Sequence, residues 1–138
     1  IAAKIDASII DVKNNSEPLE LSTYDLVGFG AGIAGGKHYS QVLKYAEKLQ
    51  NGQNKKAFIF STCGTYNARR MFNNHKALRN ILQSKGFVII GEFGCKGFSH
   101  YVLKFFGKGK RIEMNKNSPT EEDIKNTEKF AEKLLESI

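Results

Sequence analysis

Four short apolar runs, separated by amphipathic stretches, limit what this chain can fold into more than any other feature. They are 7–12 (ASIIDV), 24–29 (YDLVGF), 56–61 (KAFIFS) and 86–93 (GFVIIGEF). Each is nearly continuous rather than alternating, the pattern of strands covered on both faces. The stretches between them carry helical stripes. Segment 38–52 sets Tyr39, Val42, Leu43, Ala46 and Leu49 on one side and stops at Gly52. Segment 73–86 does the same with Leu78, Ile81 and Leu82 and stops at Gly86. A last helix opens at Thr120, a good N-cap with Asp123 at capping-box distance, and Glu121 and Glu122 suit the positive end of its dipole. Its stripe is Ile124, Thr127, Ala131, Leu134, Leu135 and Ile138. Strands alternating with helices predict an α/β fold built on a parallel sheet.

The 138 residues suit a single domain, 1–138, with a real core. No apolar run approaches the ~20 residues of a membrane helix, and no charged-then-apolar leader opens the chain. The expectation is a cytoplasmic protein with no membrane partner. Cys63 and Cys95 form no CxxC pair and read as reduced cytosolic thiols. His38, His75 and His100 form no motif and read as surface or helix-start residues, so no metal site is expected. The net charge of +7 suits nucleic acid, an anionic substrate or an acidic protein. The basic residues are spread along the polar faces of the expected helices, and no RNP-like or zinc-finger pattern occurs, which argues against nucleic acid.

The second apolar run leads into YDLVGFGAGIAGGK (24–37), where Gly30, Gly32 and Gly35 satisfy G-x-G-x-x-G. A dinucleotide fingerprint also needs an acid at the end of the next strand to hold a ribose hydroxyl. That strand ends FIFSTCG, with Ser61 and Thr62 in the acid's place. Two readings are left: a glycine loop that lets the backbone approach a flat ligand, or a plain connection. In open parallel sheets ligands sit at the carboxyl ends of strands. Two loops are expected there, 30–37 and the hydroxyl-rich STCGTYNARR (61–70).

Taken in order, YDLVGFGAGIAGGK, KKAFIFSTCGTY, GEFGCKGF and NSPTEEDIKNTEKFAEKL resemble the flavodoxin family over most of the chain, from Ala7 to Leu135. The resemblance implies an open, doubly wound parallel sheet in the order 2-1-3-4-5, with FMN at the strand ends. Position by position, it puts Gly30, Ala31, Gly32, Ile33, Ala34, Gly35, Gly36 and Lys37 along one side of the flavin ring. Ser61, Thr62, Cys63, Gly64, Thr65 and Tyr66 lie on the other side. Tyr66 is either a stacking ring or a surface tyrosine, and Ile33 or Ala34 covers the opposite face. Lys37 is either a charge near the reduced flavin or a solvated lysine. Cys63 and Cys95 are plain thiols or a pair near the flavin.

Two departures from the family stand out. IAAKIDA (1–7) has helical spacing without a cap and reads as the tail of a helix. The family's first strand, its phosphate loop and most of the helix that follows, about 20 residues in all, would precede it. The expectation is therefore an N-terminally incomplete domain lacking the first strand, with a gap in the sheet beside 24–29. The chain is also basic, whereas carriers of the family are typically acidic. The function expected is FMN-dependent, low-potential electron transfer with redox partner proteins. The alternatives are an FMN-dependent reductase of a small substrate such as a quinone, lidded by 94–110, or a flavin-free binding module.

Overall fold

The computed structural model describes the chain apart from Ser16, Phe106 and Gly107, and, for side chains, apart from 100–112. The elements in order are β1 (Leu26–Ala34), β2 (Lys37–His38), α1 (Ser40–Lys48), β3 (Lys56–Cys63), α2 (Ala68–Ser84), β4 (Val88–Lys96), β5 (Ser99–Phe105), β6 (Lys108–Met114) and α3 (Glu121–Leu135). Strands β1, β3 and β4 lie parallel in an open sheet ordered β2-β1-β3-β4. The short β2 folds back antiparallel on the end of β1. β5 and β6 form a separate antiparallel hairpin. This is the α/β architecture expected, and its parallel strands keep the spatial order of the last three in the expected sheet.

Side chains alternate across the strands and split the core in two. Val27, Phe29, Ala57 and Ile59 meet Val42, Ala46 and Leu49 of the α1 segment and Leu78 and Leu82 of α2. On the other face Phe130 of α3 packs on Phe58 and Phe93, with ring centroids 6.0 and 5.3 Å apart. α3 begins as expected, with a reciprocal capping box between Thr120 and Asp123. Its stripe is only partly inward: Ala131 and Leu134 are buried, while Ile124, Leu135 and Ile138 are exposed.

Four local readings are corrected. Segment 7–12 is no strand, and 1–7 forms only a 3-10 turn over Ala2–Lys4. α2 begins at Ala68 rather than 73, because Asn67 caps it by accepting from the Arg70 backbone N–H. α1 is shorter than 38–52, since 37–38 is taken by β2. The glycine stretch is mostly strand. Gly30, Ala31, Gly32, Ile33 and Ala34 all belong to β1, and only Gly35 and Gly36 turn. Those two have φ of 58° and 76°, the left-handed pair that a two-residue hairpin requires.

The glycines of β1 recur at every second residue, which gives one strand face no side chains. Rings from elsewhere cover it: Phe58 over Gly28, Phe60 over Gly30 and Tyr39 over Gly32. A largely apolar cavity of about 640 Å³ runs beside β1, lined by 5–13 and by Val27 through Gly32. The gap expected beside 24–29 is the place this cavity occupies. Among the described residues no backbone hydrogen bond joins 7–12 to 24–29.

Candidate functional site

The two stretches singled out in the sequence meet at the carboxyl end of the sheet. The parallel register puts Gly30 beside Phe60, Ala31 beside Ser61 and Gly32 beside Thr62. β3 carries Ser61, Thr62 and Cys63, and Gly64, Thr65 and Tyr66 form the short link into α2. Lys37 is exposed in β2, and Tyr66 is half-buried. Gly30, Ala31 and Gly32 line the cavity with Tyr39 and Phe60, but none of 61–66 reaches it. The stretches are therefore neighbours in the sheet without sharing one pocket. The Asn115 side chain donates to the carbonyls of Gly64 and Gly97, 2.6 and 3.2 Å away, and so fixes the link after β3. Most of the segment read as a lid, 94–110, lies outside the residues whose side chains are described.

Beneath this rim is a polar network that the sequence reading missed. His75 is not on the outer face of α2. It is fully buried against the sheet, and His38 is 1% exposed. His75 Nδ1 stands 2.8 Å from Glu92 Oε2, and Nε2 stands 2.8 Å from Ser61 Oγ. An ionised carboxylate only accepts, so in the neutral ring Nδ1 carries the proton and the Ser61 hydroxyl donates to Nε2. Arg79 closes the far side of Glu92 with two hydrogen bonds, and its guanidinium lies 4.0 Å over the Phe72 ring. Burial pushes the Glu92 carboxyl up, but the hydrogen bonds and charges of Arg79 and His75 outweigh this and bring it down to about 2. Ser61, His75 and Glu92 have the connectivity of a nucleophile, base and carboxylate. Ser61 is nonetheless 4% exposed, and Met71 and Gly94 close over it. The network thus holds the end of β3 and offers no reactive hydroxyl.

His38 completes the cluster. Its ring centroid is 4.9 Å from that of His75, and Nε2 lies 3.2 Å from the Phe60 carbonyl. Among the described residues Nδ1 has no hydrogen-bond partner; the nearby Asn74 backbone acts on the ring without a well-formed bond to that atom. Burial lowers the His38 pKa to about 4, assisted by the facing His75 and opposed by the Phe60 carbonyl and Glu92.

Cys63 and Cys95 are both free. Thr62 pairs with Cys95 and Cys63 with Lys96, so alternation turns the two thiols to opposite faces of the sheet. Burial raises the Cys95 pKa, and Asp123 adds to the effect. Among the described residues no group of three or more His, Cys, Asp or Glu can hold a metal ion, and no helix is long and apolar enough to cross a membrane.

An open, mostly parallel sheet with helices on both faces defines the class of doubly wound α/β domains. The family model for flavodoxin domains matches residues 1–93. The chain belongs to the flavodoxin family. It is 44% identical over 138 residues to an uncharacterized protein of Methanocaldococcus jannaschii, a match covering 99% of this chain and 86% of that protein. No solved structure gives a significant match.

A flavin is the cofactor this family implies, and the rim suits its ring in two respects. The side-chain-free face of β1 reaches the rim at Gly32, with the Tyr39 ring against it. At Gly35 nothing lies within 4 Å of where a side chain would begin, so its turn leaves open space at the rim. The N-terminus of α2 is a poorer phosphate cradle, because Asn67 already caps it.

Proposed function

We propose that this protein binds FMN at the carboxyl ends of β1 and β3 and passes electrons to and from protein partners. The observation that carries the reading is the register Ala31–Ser61 and Gly32–Thr62, which sets both expected flavin stretches side by side at that edge. Bound there, the flavin supplies the redox chemistry. The chain's own residues orient it. The Gly35–Gly36 turn and the Gly64–Tyr66 link offer backbone groups, and Tyr66 and Tyr39 are rings within the same rim. The Ser61–His75–Glu92–Arg79 network keeps the end of β3 in place beneath them. Tyr39 in this arrangement takes the covering role that the sequence gave to Ile33 or Ala34. Ile33 belongs to the strand pair with His38, and Ala34 stands at the exposed end of β1.

The test is cofactor extraction from protein purified at its natural length, with chromatographic identification, followed by titration with FMN, FAD and NAD. FMN recovery and selective FMN binding support the proposal. Recovery of FAD, or no flavin binding at all, refutes it.

A further inference from the structure

The charge of this chain is sorted as well as large. Of its 21 lysines and arginines, 13 fall between Lys48 and Arg111, where Glu92 is the sole acid. The other 13 acids stand outside that segment against 8 basic residues. Among the described side chains the basic segment supplies β3, α2 and β4, whereas α3, with five acids and three lysines, packs on the side of the sheet away from α2. Glu92, the one acid of that segment, is paired, since Arg79 and His75 take both of its oxygens.

Four exposed basic residues of the chain belong to the elements around the proposed flavin edge. Arg69 and Arg70 are exposed in the first turn of α2, which contains no acid, so they add to the positive end of the helix dipole. Lys37 is exposed in β2, which packs against α2, and Lys96 is exposed at the end of β4. Phe72 lies among these charges and is 59% exposed. An aromatic ring within a rim of arginine and lysine is the composition of a protein interface. One face of the Phe72 ring is already covered by the Arg79 guanidinium, which leaves less of it for stacking on a nucleobase.

We infer that the face made by the N-terminal half of α2, β2 and the end of β4 docks a small acidic electron-carrier protein. This rests on the electron-transfer reading above and gives the partner its charge: complementary acids steer it onto the α2 side of the rim, and Phe72 is the apolar contact at the centre. Steering of this kind is strongly screened by salt.

A purified acidic iron–sulfur ferredoxin is the probe, with binding measured by calorimetry on the full-length protein. No electron transfer is needed for the readout, so a failed FMN titration and a failed docking measurement are separate results. Binding should weaken at least about tenfold from roughly 50 to 300 mM NaCl. The double variant Arg69→Glu/Arg70→Glu should weaken it about tenfold or more at low salt. That variant should fold, because glutamates suit the first turn of a helix; circular dichroism checks this. Reversal of Lys125 and Lys129 on α3, to glutamate, should change binding less than about twofold. Absence of ferredoxin binding at low salt, or an α2 variant that binds as wild type does, overturns the inference. So does tighter binding of a duplex DNA or RNA oligonucleotide than of ferredoxin in the same buffer.

Discussion

Acidification should weaken this fold above the pH at which most carboxylates protonate, and His38 is the reason. Its ring is buried and neutral, with a folded pKa of about 4 against 6.5 for the model group. A depressed folded pKa means that the unfolded chain takes up the proton first as pH falls. The stability due to the neutral ring is therefore complete above pH 6.5 and is lost between 6.5 and about 4. At ~1.36 kcal/mol per pKa unit, that window carries about 3 kcal/mol. The perturbation that isolates it is His38→Phe, which keeps a planar ring and removes the titration. The variant gives up the contact with the Phe60 carbonyl, worth about 1 kcal/mol, at every pH. Urea unfolding followed by circular dichroism across this range should show wild-type stability falling by about 3 kcal/mol more than that of the variant. Carboxylates common to both proteins cancel in the comparison. Equal pH slopes in the two proteins would mean that His38 is not held neutral, and the reasoning would fail.

Other outcomes are expected from the same geometry. Glu92→Gln leaves Arg79 and His75 without their carboxylate and should cost about 3 kcal/mol at neutral pH in denaturant unfolding. Because the folded pKa of Glu92 is lowered from 4.5 to about 2, its contribution should be complete above pH 4.5 and be lost progressively as pH falls from 4.5 to about 2. Gly35→Val forces a branched side chain to a φ of 58° and should cost about 1–2 kcal/mol by thermal or urea unfolding, with no clash to relieve. Thr120→Ala breaks both halves of the α3 capping box and should cost about 1 kcal/mol in the same assay.

The sheet and helices were legible because their signals are local. The runs 24–29 and 56–61 became β1 and β3, the stripes of α1 and α2 found the core, and the Thr120 cap is where the sequence put it. The register that joins Gly30–Gly32 to Phe60–Thr62 follows from parallel neighbours, so the proximity of the two stretches was legible as well. The interior of the site was not. His38 and His75 looked like surface residues because their partners, Phe60, Ser61 and Glu92, come from other strands. One signal was present: Glu92 interrupts an apolar run, and a strand buried on both faces must pair such a charge. A second was the spacing of Gly28, Gly30 and Gly32, whose period of two belongs to a strand face rather than to a loop. Segment 7–12 has strand composition, but composition alone gives a strand no neighbour to pair with.

One titration decides whether the carboxyl rim is a flavin site. FMN added to the apoprotein at its natural length should be bound, with its fluorescence changing to a saturable end point. Gly32→Val, whose added atoms run into the Tyr39 ring, should weaken binding while the far-UV spectrum stays unchanged. No FMN binding by the wild type, or equal affinity in the Gly32 variant, would contradict a flavin held against β1.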